Sequence, residues 1–131
     1  MSFAKIGTYD YKSLLADAHC AAEKAAINVM PGQGLLTIGT VLYRGENGMY
    51  SAAAEADCVS AKNLCVLNEE IDTTASEEAL VAGAYRNGRL LAEAVHLKNG
   101  AALTATNKLA LRQQGILLKA GTGAAEFNNE I

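Results

Sequence analysis

The apolar positions of this 131-residue chain fall into short runs separated by turn residues, and their spacing changes along its length. Residues 35–44 have the β-branched and aromatic content of a strand. Alternation there places Leu36, Ile38 and Leu42 on one face and Val41 and Tyr43 on the other, so both faces are expected to be partly covered. Pro31-Gly32-Gln33-Gly34 ahead of this run reads as a turn, because proline presets φ and glycine accepts positive φ. Gly45-Glu46-Asn47-Gly48 reads as a tight turn that returns the chain through 49–53 as a hairpin. Residues 64–67 and 80–86 are short apolar runs of the kind that form buried strands.

Beyond them, Asn87-Gly88 and Asn99-Gly100 mark turns. Between these, residues 90–97 fit both a strand and a short helix, with the helix slightly ahead. Thr104 or Thr106 stands where it can cap a helix over 107–114, and Gly115 stands where a left-handed residue ends one. Residues 116–119 form a last strand. At the other end, Ser13 can cap a helix through the alanine-rich stretch to Ala26, since alanine has the highest helix propensity. Residues 1–11 lack strong periodicity and read as an arm, and 121–131 read as a loose polar tail. The expected organisation is an N-terminal arm over 1–20, a β-rich domain over 21–120 and a tail over 121–131. The class is mainly β, with one or two short helices.

Composition changes this picture in one respect. The chain is 50% hydrophobic but only 5% aromatic, without Trp, and alanine supplies much of the apolar total. Burial stabilises by about 25 cal/mol per Å² of apolar surface, so an alanine contributes far less than a leucine or phenylalanine. The core is light for a single domain of this length, and burial between subunits would compensate, which points to an oligomer. The net charge of −3 and the scattered Lys and Arg residues argue against nucleic acid or an anionic membrane as partner. No apolar run reaches the ~18 residues of a membrane span, and the N-terminus lacks the pattern of a signal peptide. Cys20, Cys58 and Cys65 cannot all pair within one chain. Their number points to cytosolic synthesis with free, mostly buried thiols, although the spacing of Cys58 and Cys65 would permit a disulfide.

Candidate chemistry is sparse. Gly32-x-Gly34 with Gly39 superficially matches a dinucleotide loop, but these glycines precede a strand instead of opening a helix. His19 and Cys20 are neighbours whose side chains diverge on any regular element, and His96 has no His or Cys nearby in sequence, so buried thiols and surface histidines are expected in place of a metal site. Glu69-Glu70 and Glu77-Glu78 point opposite ways on a strand and cannot converge as an acid/base pair; a solvated rim around Asp72-Thr73-Thr74 fits them better. Arg86, Arg89 and Arg112 can each grip a carboxylate or phosphate, though such residues more often make surface or inter-subunit pairs. No catalytic residue, cofactor or metal ligand is assigned, and an enzyme is not expected.

The order of these pieces resembles the head decoration proteins of tailed bacteriophages, the group that includes the lambda-type D protein. The resemblance runs over about residues 25–118. It starts with Gly32-Gln33-Gly34-Leu35-Leu36-Thr37-Ile38-Gly39-Thr40-Val41-Leu42 and continues through Met49-Tyr50 in the hairpin. An acidic, alanine-rich stretch leads to the buried run at 64–67 and Glu69-Glu70-Ile71-Asp72. It closes on Gly83-Ala84-Tyr85-Arg86-Asn87-Gly88 and Leu111-Arg112-Gln113-Gln114-Gly115-Ile116. The resemblance implies a small β-tulip-like or barrel-like fold and a homotrimer on the outside of an expanded capsid. That trimer would sit at three-fold and quasi-three-fold junctions of the major capsid protein. It also implies an extended approach, in place of a helix, to a strand near residues 27–30. The expected capsid contact is the arm: Ser2, Phe3, Ala4, Lys5, Ile6, Gly7, Thr8, Tyr9, Asp10 and Tyr11. Phe3, Ile6, Tyr9 and Tyr11 would be its apolar anchors, and its backbone would add a strand to a capsid sheet edge. From the residues alone, the competing expectation is a small β-barrel module that binds a small molecule or a host protein through its arginines.

Overall fold

A computed structural model of the chain describes Leu14 and residues 22–59 and 63–119. Both the arm over 1–11 and the tail over 121–131 lie outside the described residues. Nine strands are described: β1 (Lys24–Val29), β2 (Leu35–Leu36), β3 (Val41–Arg44), β4 (Tyr50–Ala52), β5 (Leu64–Leu67), β6 (Ile71–Asp72), β7 (Leu80–Tyr85), β8 (Gly88–Leu91) and β9 (Ile116–Lys119). One helix, α1 (Ala105–Gln114), stands before β9, and short 3-10 turns cover Glu55–Asp57, Ala92–Ala94 and Lys98–Gly100. The class is mainly β, as expected.

Five strands close into a barrel in the order β1-β4-β3-β5-β7. β7 closes it onto β1 through six antiparallel pairs, from Lys24↔Tyr85 to Val29↔Leu80. The expected hairpin is present: Leu42 pairs with Ala52 and Arg44 with Tyr50 across the turn at 45–48. Two ribbons flank the barrel, β2 with β6 antiparallel and β8 with β9 parallel.

Alternation along the strands divides the core in two. Leu42, Cys65, Leu67, Ala82, Ala84, Ile27, Val29, Tyr50 and Ala52 come from all five barrel strands and fill its interior, with Leu36 of the β2–β6 ribbon packed among them. The intervening Val41, Leu64, Val66 and Tyr85 point outward and are covered by Leu90, Ala110, Leu111 and Ile116 of β8, α1 and β9. Both faces of β3 and β5 are thus covered, which is why residues 64–67 are an unbroken apolar run with every residue buried.

The strand expected over 35–44 is instead two strands. Gly39 has φ +97, and a Cβ there would run into the Ala94 carbonyl. Its N–H donates to Leu67 O at 2.8 Å and its carbonyl accepts from His96 N at 2.9 Å, so the chain bends through a left-handed residue and resumes at Val41. The bend also carries Ile38 away from Leu36 and Leu42 to pack on the outer cluster, which breaks the face expected from alternation.

Residues 90–97 do not form the slightly favoured helix. β9 supplies a strand partner through Gly88↔Ile116 to Leu91↔Lys119, and only one 3-10 turn follows before His96 bridges to Thr40. Tertiary pairing overrides local propensity here. The same holds at the N-terminal side, where Leu14 is helical and buried but the chain is extended from Lys24, paired with β7 instead of continuing a helix to Ala26.

α1 begins two residues before the expected Asn107, capped by Thr104 and not by Thr106. Thr104 Oγ1 accepts from Asn107 N at 3.2 Å, and Asn107 Oδ1 accepts from Thr104 N at 2.9 Å. Gly115 ends the helix at φ +101, its N–H donating to Arg112 O at 3.0 Å.

Candidate functional site

The polar groups that stand out in the sequence fall into structural and surface sets. Cys58 and Cys65 are free and fully buried, in the outer and inner clusters respectively, so they form no disulfide. Burial, with a smaller contribution from Asp57, pushes the Cys58 thiol up to about 11. Burial pushes Cys65 up to about 12 against a small opposing pull from Arg86. Both stay protonated thiols at neutral pH and are poor nucleophiles.

His96 is only half-exposed, and not a plain surface histidine. Nδ1 lies 3.1 Å from Leu97 O, and Nε2 lies 3.2 Å from Thr37 Oγ1 and 3.3 Å from Ile38 O. The ring ties the Gly39 bend to the strand-like segment after β8. Among the described residues no group of three or more His, Cys, Asp or Glu side chains could hold a metal, and no helix is long and apolar enough to cross a membrane.

The rim around 72–74 is solvated except at its centre. Glu69, Glu70, Asp72, Glu77 and Glu78 are exposed, but Thr73 is fully buried. Thr73 Oγ1 accepts from Gln33 N and donates to Gly34 O, both at 2.8 Å, and Gln33 Oε1 accepts from Ala52 N at 2.8 Å. These bonds tie the turn at 31–34 to the segment after β6 and to β4, with Gln33 N–H satisfied by a side chain and Gly34 O shared between the Thr73 hydroxyl and the Thr73 N–H. Thr74 donates to the Asp72 carboxylate through its side chain and its backbone N–H, and this holds that carboxyl below its usual range. Glu69 Oε2 accepts from Gly83 N at 2.6 Å, so one of the four paired glutamates is anchored to β7.

Arg86, Arg89 and Arg112 are all exposed, and they do not converge on one pocket. Arg112 lines an open hollow of about 260 Å³ with Lys108, Leu109, Ile116, Leu117 and Leu118. Arg89 is not among its lining residues, but it lies on the neighbouring strand in register with Leu117 of β9. Arg86 stands apart, at the end of β7, its N–H donating to Glu23 O at 2.8 Å.

The exposed apolar residues at this hollow were not expected from the sequence. Leu109 is 56% exposed and Leu117 42%. The signal was one of phase. α1 buries Asn107, Ala110 and Leu111, and Leu109 falls between these positions. Likewise Leu117 alternates with buried Ile116, and Val81, 69% exposed, alternates with buried Ala82. Each is an apolar side chain on the wet phase of its element. The proposed arm contacts, Ser2 through Tyr11, lie outside the described residues, as do His19 and Cys20. No protein-family model matches the chain, and neither does any curated protein sequence.

Proposed function

We propose that this chain is a capsid decoration protein. In this reading it is a homotrimer, made in the bacterial cytoplasm and carried on the outside of the virion. It binds the expanded phage head at three-fold and quasi-three-fold junctions of the major capsid protein and holds the shell against the pressure of packaged DNA. The observation that carries the reading is the closure of the five-stranded barrel together with large apolar side chains left exposed outside it, at Leu35, Val59, Val81, Leu109 and Leu117. A closed barrel has no free edge of its own, so contacts with large partners fall to side-chain faces, the ribbons and the terminal segments. The order of short motifs along residues 25–118 supports the same reading. Each subunit can bind weakly, because in a trimer the second and third contacts are effectively intramolecular. A clamp that binds only the assembled, expanded shell stabilises that state by mass action.

The arm, Ser2 through Tyr11, is the proposed capsid contact, with Phe3, Ile6, Tyr9 and Tyr11 as anchors. The runner-up is a binding module using the cationic hollow at Lys108 and Arg112; its volume of about 260 Å³ falls short of the ~300–1,000 Å³ usual for small-molecule sites. The test is to mix the purified full chain with expanded, undecorated phage heads and image them, alongside light scattering of the free protein. The expected result is a trimer of the 13.7 kDa chain and density over the three-fold junctions. Deleting residues 2–11 is expected to leave a folded trimer that no longer coats heads. A monomer that ignores the heads would overturn the function, and undiminished coating by the truncated chain would overturn the arm's role.

A further inference from the structure

We infer that the subunits of this protein join head to tail, the cationic α1–β9 face of one copy seating on the acidic β6–β7 side of the next. The inference rests on the trimer reading above and assigns it a surface.

The exposed apolar side chains belong to two surroundings of opposite charge. On α1, Lys108, Leu109 and Arg112 lie off the buried stripe, and on the adjoining ribbon exposed Leu117 is paired in register with Arg89. Two leucines therefore stand among three cations. On the other side, Val81 projects from β7 into an open hollow that it shares with Glu69, and Leu35 of β2 is paired with Asp72. Residues 69–78, which run between these positions, carry five exposed carboxylates and no Lys or Arg. Lys24 lines the Val81 hollow too, and leaves the surrounding charge acidic. The first patch is built on α1 and the β8–β9 ribbon and the second on β7 and the β2–β6 ribbon, so different elements carry them.

Charge decides how such patches meet. A symmetric contact of either patch with its own copy opposes like charges, which is unfavourable at an interface that also excludes water. Opposing the two different patches matches sign with sign and covers all four apolar side chains at once. A contact between unlike patches is heterologous, and a heterologous contact that closes on itself makes a ring, whereas a self-matching contact stops at a pair. A three-membered ring uses both patches of every copy, and leaves the terminal segments to engage the shell.

The experiment uses two full-length variants. Lys108→Glu with Arg112→Glu breaks the cationic patch, and Val81→Lys breaks the acidic one; all three positions are exposed, so the fold is expected to persist by circular dichroism. Under conditions where the unaltered chain is a trimer, each variant alone is expected to be monomeric by light scattering, its association weakened about tenfold or more. Mixed one to one, the two variants retain one intact pair of faces and are expected to form a dimer that cannot close. If the double charge reversal fails to fold, Leu109→Gln tests the same face with the same expectation. Variants that remain trimers, or a mixture that remains monomeric, would overturn the head-to-tail assignment while leaving the trimer in place. An unaltered chain that is itself monomeric would remove the trimer reading instead.

Discussion

Cys58 and Cys65 are seven positions apart in sequence, yet one thiol packs beneath α1 and the other inside the barrel. Burial disfavours the thiolate in both, which raises them from the ordinary 9.0 to about 11 and about 12. A raised thiol gives stability that is fully present below 9.0, where folded and unfolded chains are both protonated. That stability drains as the pH climbs through about 11 and then about 12, because the unfolded chain releases its protons first. In a Cys20→Ser background, a thiol reagent at pH 8 is therefore expected to leave the folded protein unlabelled and to label both cysteines once denaturant is added. Rapid labelling of the native protein would contradict their burial. The polar residues obey the same logic of enclosure. Thr73 is inside and Gln33 half-buried, and their side chains satisfy backbone groups of the turn at 31–34 and of β4.

Among the elements, α1 shows how a short helix is held. Its cap is reciprocal between Thr104 and Asn107, and Asn107 does more than cap. Its side-chain amide donates to Cys58 O at 2.8 Å and Glu55 O at 3.1 Å, which fastens the 3-10 turn at Glu55–Asp57 to the helix. Removing Thr104's hydroxyl costs a cap, about 1 kcal/mol. Asn107→Ala also takes the buried amide donor from Cys58 O, while Glu55 O keeps the Cys58 N–H, about 1–3 kcal/mol beyond the cap. Urea unfolding is expected to rank Asn107→Ala as the more damaging of the two. Equal losses would mean that the bonds to residues 55 and 58 contribute nothing. The ribbon beneath α1 has the same dependence on partners, since β8 is extended only where β9 lies beside it.

At the scale of the molecule, the barrel itself supplies a physical reason for the low aromatic content. A barrel of five strands is narrower than one of eight, so its interior accepts small side chains. Ala52, Ala82, Ala84 and Cys65, all at 5% exposure or less, pack there among the larger Ile27, Leu42, Tyr50 and Leu67. Ala84→Leu is therefore expected to cost about 1–3 kcal/mol by overpacking. Val81→Ala, on the outward phase of the same strand, is expected to stay within about 0.5 kcal/mol in the isolated subunit. Chemical denaturation of both variants checks this, and a tolerated Ala84→Leu would show that the barrel interior is not closely filled. The exposed apolar side chains belong to this scale as well, because the proposed head-to-tail contact would cover them.

Local chemistry along the chain was enough to place the turns at 31–34 and 45–48, the hairpin between β3 and β4, the buried run of β5, the strand β7 though not its full burial, the C-terminal cap of α1 at Gly115 and the strand after it. Each rests on residues within a few positions of one another: glycine where φ must be positive, a threonine hydroxyl reaching an amide three residues on, apolar side chains alternating on a pleat. Of the proposed interaction surface, the arm stood out only as a terminal segment with aromatic anchors, and the hollow at Leu109 and Leu117 stood out not at all. The remaining features depended on distant partners. The Ala94 carbonyl makes a side chain at residue 39 impossible, β9 makes residues 88–91 extended, and Gln33 draws Thr73 inside. Whether a leucine on α1 is core or surface depends on which face β5 and β9 cover. Short-range order follows from neighbouring residues, whereas enclosure depends on groups that only the closed barrel and its covering helix bring together.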